Sequence, residues 1–168
     1  MQTIRTARLV IRQFTLADGP FVMQLVNQPS WLQWIGNRNV HTLNDAETYI
    51  SSGPMAMYQR YGVGLCGVEL AGTLIGMAGL IKRTPEAEID LGYAFLPEYW
   101  GQGYASEVAQ ALLNYAITTL KLPRIIATTH LENKQSIKVL ERIGMHFEGI
   151  IHEGEQQLRV FGYNTRRT

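Results

Sequence analysis

Pro97-Glu98-Tyr99-Trp100-Gly101-Gln102-Gly103-Tyr104-Ala105-Ser106-Glu107 is the stretch on which the fold turns. Before it runs a segment of alternating polar and apolar residues that Pro97 ends. After it, Ala105, Ala109, Leu112 and Ala116 recur at three- and four-residue spacing, the pattern of an amphipathic helix over 103–121 that Pro123 stops. A strand enters and a helix leaves. Gly101 and Gly103 let the backbone turn and approach a ligand closely. The first helical N–H groups have no partner inside the helix and lie at the positive end of its dipole. Together these features make a turn suited to a phosphate; a tight turn with no ligand is the plainer alternative. A Walker A loop is excluded because Tyr104, not Lys, follows Gly103. The dinucleotide fingerprint fits poorly. Ser106 can stand for its third small residue, but the preceding strands read as a meander and no acidic residue ends a following strand at the expected spacing.

Upstream, three strands are predicted over 62–70, 73–82 and 87–95. Ala71-Gly72 gives a tight hairpin between the first two, with Gly at positive φ. In the third, Glu88 and Asp90 alternate with Ile89 and Leu91, as in a half-buried strand. Nearer the start, Leu9-Val10-Ile11-Arg12 reads as a first strand. Thr15 and Asp18 open a helix of about ten residues with Phe21, Val22 and Leu25 inward. Residues 28–41, with Trp31, Trp34, Arg38 and His41, read as a long irregular connection. Thr42 and Asp45 open a second helix running to about Ser51, broken by Gly53-Pro54. Downstream come a strand over 124–130, a helix over 133–143 ending at Gly144, and a hairpin of 147–152 and 158–163. The middle meander implies antiparallel pairing, and the later strand–helix–strand step implies one right-handed parallel crossover. The expected fold class is α/β (α+β), a mixed, mostly antiparallel sheet of six to seven strands with about four helices.

Composition narrows the function classes. At 168 residues the chain fits one domain, taken as 1–168, with a full core. With 46% hydrophobic and 17% charged residues it is too apolar for disorder. Fifteen Lys and Arg against fourteen Asp and Glu leave a net charge of +1, too little basic excess for a general nucleic-acid binder. The single cysteine, Cys66, rules out an internal disulfide and a cysteine-based zinc site; within a strand it reads as a small buried hydrophobe, not a nucleophile. No metal is expected. No apolar run is long enough to span a membrane, and Met1–Arg8 has no signal-type apolar run, so a cytoplasmic protein with no membrane partner is expected.

The glycine stretch resembles the acyl-CoA loop of the GNAT superfamily of N-acetyltransferases, Gln/Arg-x-x-Gly-x-Gly/Ala, with Trp100 where the family's first position usually has Gln or Arg. The wider pattern Gly92-Tyr93, Pro97, Trp100-Gly101, Gly103-Tyr104-Ala105 and Glu107 is similar to the subgroup that acetylates protein N-termini, including those of ribosomal proteins. Two further segments agree with that subgroup. Thr6-Ala7-Arg8-Leu9-Val10-Ile11-Arg12 looks like its first strand. Asn133-Lys134-Gln135-Ser136 with Leu140-Glu141-Arg142-Ile143-Gly144-Met145 resembles its Asn-x-x-Ser and Leu-Glu-x-x-Gly-Phe segments, Met145 replacing Phe. The resemblance spans about residues 4–163.

The resemblance implies the GNAT acyl-CoA N-acyltransferase fold, acetyl-CoA as cosubstrate, and direct attack of an amine on the thioester. The backbone of Ala94, Phe95 and Leu96 would pair with the pantetheine arm, and one N–H there would polarise the thioester carbonyl. The pyrophosphate would rest on N–H groups of Gly101, Gln102, Gly103, Tyr104, Ala105 and Ser106. Many family members carry a Tyr seven residues after the Asn as the acid for the leaving thiolate; here Leu140 stands there, and the subgroup suggests Ser136 instead. Since a thiol titrates near ~8.5, that proton helps without being essential. The carboxylate the subgroup uses as base falls on Glu155; Glu153, Asp90, Glu88 and His130 are rivals. Asn133 is a good N-cap that in the family also reaches the cofactor arm or its water. Lys134, Lys138 and Arg142 form one stripe that either meets the 3′-phosphate or is simply solvated. Trp31, Trp34, Arg38 and His41 would wall the acceptor pocket, with core packing the alternative for both tryptophans. The expected acceptor is a primary amine, foremost a protein N-terminus. A polyamine, amino acid or aminoglycoside is the enzyme alternative, since Gln156–Tyr163 lacks the Asp the subgroup often has in its last strand. A polycationic acceptor would favour an acidic pocket, and 28–41 holds no acidic residue. A non-catalytic acyl-CoA-binding module is the rival from another class. A homodimer through an exposed last strand is a further expectation.

Overall fold

The computed structural model describes residues 1–165. Its eight strands form one sheet in the order β1-β2-β3-β4-β5-β6-β8-β7. These are β1 (Ile4–Arg5), β2 (Leu9–Gln13), β3 (Leu65–Leu70), β4 (Thr73–Ile81), β5 (Ile89–Phe95), β6 (Arg124–His130), β7 (His146–Glu153) and β8 (Gln156–Asn164). All neighbours pair antiparallel except β5 and β6, which are parallel. The mixed sheet with one parallel step agrees with the sequence. The strand count is higher by the short β1, whose two residues carry too little pattern to be read.

The helices are α1 (Gly19–Val26), α2 (Pro29–Trp34), α3 (Leu43–Ile50), α4 (Ala56–Tyr61), α5 (Tyr104–Thr118) and α6 (Lys134–Arg142). Two corrections arise here. The connection over 28–41 contains α2, started by Pro29 at its first position. Gly53-Pro54 does not break the second helix: a wide π-type turn over Ser51–Met55 absorbs Pro54, and helix continues to Tyr61, where Gly62 closes it in the left-handed region. The expected capping box at α3 is present, with Asp45 N–H donating to Thr42 Oγ1 at 3.0 Å and Thr42 N–H to Asp45 Oδ2 at 3.1 Å.

The sheet is covered on both faces. Val108, Ala109, Leu112, Leu113 and Ala116 of α5 and Leu140 of α6 pack on one face, with Ala78, Ile89, Leu91 and Phe95 among the strand residues beneath them. Val22 and Leu25 of α1, Trp31 of α2 and Ala46 and Ile50 of α3 pack on the other, over Met77. Neighbouring Met77 and Ala78 thus serve opposite cores, as side-chain alternation along a strand requires. The same alternation puts Asp90 on the α1–α3 side. That side of β5 is not solvated, and Asp90 is only 8% exposed; the polar face expected of a half-buried strand is buried here. The last strand is not an edge either. β8 lies between β6 and β7, so an edge-to-edge partner would meet β7, whose Phe147, Ile150 and Ile151 are exposed.

Candidate active site

The site is an opening in the sheet. β5 and β6 pair only at Ile89–Ile125 and Asp90–Ile126, and beyond those residues the two strands separate. β6 stays fully paired with β8 as far as His130, and β5 with β4 as far as Phe95. Leu96 N–H donates to Ile75 O at 3.0 Å, which fixes the alternation along β5. Hydrogen-bonding groups of Ala94 and Leu96 face β4, and those of Tyr93 and Phe95 face the gap. Of the stretch 94–96, only the Phe95 N–H is therefore turned to the opening, and Tyr93 joins it. The Phe95 carbonyl is taken: Trp100 Nε1 donates to it at 2.9 Å. Trp100 thereby ties the glycine loop to the end of β5.

That loop has the geometry its sequence suggested. Gly101 and Gly103 lie at φ +78° and +84°, and Gly103 is the residue before α5. Glu107 N–H donates to Gly103 O at 3.1 Å, the first bond of the helix, which leaves the N–H groups of Tyr104, Ala105 and Ser106 pointing out of its N-terminus. The loop is braced from the turn between β1 and β2. Glu107 accepts from Thr6 Oγ1 at 2.5 Å, from Arg8 N–H at 3.0 Å and from Arg8 Nε at 2.7 Å, while Arg8 Nη1 donates to Gln102 O at 2.9 Å. Burial works against the Glu107 charge, but the Thr6 and Arg8 bonds outweigh it and hold its carboxyl below the usual range. Two of the three separated sequence motifs thus meet in one clamp.

α6 forms the facing wall. Asn133 caps it, accepting from Ser136 N–H at 3.3 Å. Tyr93 reaches across from β5, its hydroxyl 3.0 Å from Ser136 Oγ and donating to Ser136 O at 3.2 Å. Burial pushes the Tyr93 phenol up to about 12, with the Ser136 bond opposing, so it remains protonated at neutral pH. Leu140 is buried in the core. The Tyr93–Ser136 pair was missed in the sequence although Gly92-Tyr93 stood out there, because the two residues are far apart in the chain. Lys134, Lys138 and Arg142 all line the opening, and Arg142 Nη1 donates to Ser106 Oγ at 3.3 Å.

The opening continues under α2, and the whole cleft has a volume of about 1080 Å³. Its far walls include Trp31, Trp34, Arg38, Tyr49, Arg83 and His130. Trp31 is buried and Trp34 stacks edge-on against His130 at 5.0 Å, so each tryptophan both packs and lines the cleft. His41 is exposed and outside the lining. His130 Nδ1 accepts the Glu132 N–H at 3.2 Å, which commits one ring nitrogen to the turn.

The carboxylates separate clearly. Glu88 pairs with Arg124 on the outside. Glu155 is exposed in the β7–β8 turn and does not line the cleft, whereas Glu153 of the same hairpin does. Asp90 lines it from β5, with Arg83 Nη2 3.7 Å away and the Thr128 backbone N–H beside it. Burial pushes its carboxyl up to about 6; Arg83 opposes that shift and Glu153 adds to it. Burial likewise pushes the Cys66 thiol up to about 11, far from a nucleophile's range. Among the described residues no cluster of His, Cys, Asp and Glu could hold a metal, and no helix is long and apolar enough to cross a membrane.

Comparison with known proteins agrees with this arrangement. Residues 8–146 match the acetyltransferase (GNAT) domain. The uncharacterized N-acetyltransferase YnaD of Bacillus subtilis (strain 168) is 34% identical over 146 residues, covering 87% of this chain and 84% of that protein. A GNAT-family acetyltransferase of known structure from Bacillus anthracis superposes with a TM-score of 0.80 at 30% identity, covering 97% and 98% of the two chains. RimL, a ribosomal L7/L12 α-N-protein acetyltransferase solved with coenzyme A, superposes with a TM-score of 0.86 over 97% and 98%; at 18% identity it shares the fold alone.

Proposed function

Because the chain belongs to the GNAT acetyltransferase family, we propose that it moves an acetyl group from acetyl-CoA to a primary amine by direct attack, and that the amine is the α-amino group of a protein or peptide. The observation that carries the reading is the unpaired edge of β5 running into a helix N-terminus with free N–H groups, with a hydroxyl pair on the opposite wall. Acetyl-CoA supplies the activated acyl group. Phe95 and Tyr93 offer N–H groups to its arm and thioester carbonyl. The loop from Gly101 to Ser106 offers N–H groups to the pyrophosphate, and Lys138, with Lys134 and Arg142, offers charge to the phosphates. Ser136, held by Tyr93, donates to the departing sulfur. Asn133 holds the turn that presents Ser136. Holding both reactants in one cleft removes the need for an acyl-enzyme.

The protein or peptide acceptor is supported by the sequence resemblance to the N-terminus-acetylating subgroup and by the mixed charge of the cleft walls. Arg38 and Arg83 stand there beside Asp90 and Glu153, and an all-acidic pocket suited to a polyamine or aminoglycoside does not. The test is CoA release from acetyl-CoA, followed with a thiol reagent across N-terminal peptides, free amino acids, polyamines and aminoglycosides. Turnover with peptides is expected. Turnover confined to polyamines would remove the acceptor assignment, and tight CoA binding with no turnover on any amine would favour a binding module.

A further inference from the structure

One cation in the cleft wall has no protein partner. Residues 28–41, which form α2 and the loop after it, contain a single residue of the Lys, Arg, Asp and Glu set, Arg38. Arg38 lines the cleft and makes no ion pair among the described residues. The other cations of the lining are placed differently. Arg83 stands 3.7 Å from Asp90. Lys134, Lys138 and Arg142 belong to α6, and Arg142 reaches Ser106 beside the glycine loop.

The turn that carries Arg38 is fixed on both sides. Before it, the N–H groups of Ile35 and Gly36 donate to Trp31 O at 2.8 and 3.0 Å and close α2. After it, Asn39 takes the left-handed region at φ +56°, which Asn tolerates better than most side chains, and its N–H donates to Asn37 Oδ1 at 2.8 Å. Val40 is then buried, and Asn27 Nδ2 donates to its carbonyl at 2.7 Å. The guanidinium lies back over Gly36, where an added Cβ would stand 3.9 Å from Arg38 Nη1. Tyr49 of α3 lines the cleft beside it. Burial raises the Tyr49 phenol and Arg38 opposes the rise without cancelling it, so the hydroxyl keeps its proton at neutral pH.

A guanidinium beside a phenolic O–H, with no protein carboxylate on either, suits an incoming carboxylate: the arginine fork gives paired N–H donors and the phenol gives one more. We propose that Arg38 and Tyr49 bind a carboxylate of the acceptor, so that the preferred substrate is a peptide with Asp or Glu among its first three residues. The proposal rests on the acetyl-transfer reading above and names which peptides the site selects. Trp34 stacks on His130 at the end of β6, where that strand borders the opening, and Arg38 follows Trp34 by four residues. A peptide with its amine at the thioester has its next residues leaving past this end of α2. An acidic side chain there meets Arg38 and Tyr49. A lysine there meets a like charge, and a polyamine brings no carboxylate at all. The pair touches no reacting atom, so it sets which acceptor is captured.

The experiment is kcat/KM for short peptide amides that carry alanine, aspartate or lysine at the second or third position, in wild type, Arg38→Gln, Arg38→Glu and Tyr49→Phe. The C-terminal amide removes any other carboxylate, and free amino acids are run beside the peptides. Arg38 is exposed, so its substitutions leave the core intact, and CoA binding by calorimetry checks each variant. Wild type is expected to favour an aspartate peptide over its alanine counterpart about tenfold, through KM, and less so as salt rises. Arg38→Gln should abolish that ratio, Tyr49→Phe should reduce it, and Arg38→Glu should turn it in favour of lysine. Equal kcat/KM for aspartate and alanine peptides in wild type, or an aspartate preference that survives in Arg38→Gln or Arg38→Glu, would overturn the proposal. Turnover confined to free amino acids and lost in Arg38→Gln would support the carboxylate site and overturn the peptide acceptor; turnover confined to them and indifferent to Arg38 would overturn both. No turnover by wild type on any amine would overturn the acetyl-transfer reading, and this selection with it.

Discussion

Replacing Asp90 with Asn should make the protein more stable, and increasingly so as the pH rises. The sign follows from linkage. Burial raises this carboxyl in the folded protein to about 6 from its ordinary 3.8, so between those values the folded state binds more protons than the unfolded one. Stability from this group is fully present below 3.8 and is lost as the pH rises through 6. The full penalty at pH 8 is about 3 kcal/mol, and at pH 5 about half of that. Asn keeps the shape and carries no charge at any pH. For a chain of this length, 3 kcal/mol corresponds to roughly 6–12 °C in Tm. Urea unfolding of wild type and Asp90→Asn at pH 5, 6, 7 and 8 measures the gap directly. A stability difference independent of pH, or a variant less stable than wild type at pH 8, would refute the reasoning, for then Asp90 is not a strained buried charge. A gain in stability together with a loss of turnover would mark a residue kept for function at a structural cost.

The other predictions concern the loop and the facing wall. Tyr93→Phe removes the hydroxyl that orients Ser136 and should lower kcat roughly tenfold, less than a full acid–base role because a thiolate is a fair leaving group; steady-state kinetics should show an unchanged KM for acetyl-CoA. Gly103→Ala forces a side chain into the left-handed region at φ +84°, with its Cβ 3.4 Å from Arg8 Nη2. It should cost about 1–2 kcal/mol and weaken CoA binding by calorimetry as the loop relaxes. Glu107→Gln loosens the brace from Thr6 and Arg8 and should lower stability by about 1–2 kcal/mol at neutral pH. That loss should fade as the pH falls through the depressed carboxyl value, since the wild-type contribution is present only while Glu107 is charged.

What the sequence revealed depended on how local the signal was. α5 and α6 were legible because apolar spacing, Gly103, Pro123 and Gly144 all act within a few residues. The meander was legible from Ala71-Gly72 and strand alternation. α2 was hidden because six residues with two tryptophans show no helical period, and α4 because Pro54 normally ends a helix and here is absorbed by a wide turn. The glycine loop was readable as a motif. Its brace by Arg8 and Glu107, the Trp100–Phe95 tie and the Tyr93–Ser136 pair were not, since each joins side chains or backbone across a fold that spacing does not display. The carboxylates show the same limit. Glu155 stood out by its offset from Ser136, but Asp90 looked like the polar half of an ordinary alternating strand. Only the packing around that face makes it a buried charge in the cleft.

The central claim is that this cleft carries an acetyl group from CoA to an amine. Mass spectrometry of an N-terminal peptide incubated with the protein and acetyl-CoA tests it most directly, with free CoA quantified in the same sample. The account predicts one acetyl on the α-nitrogen for each CoA released. CoA released without an acetylated product, or no release with any amine offered, would contradict it.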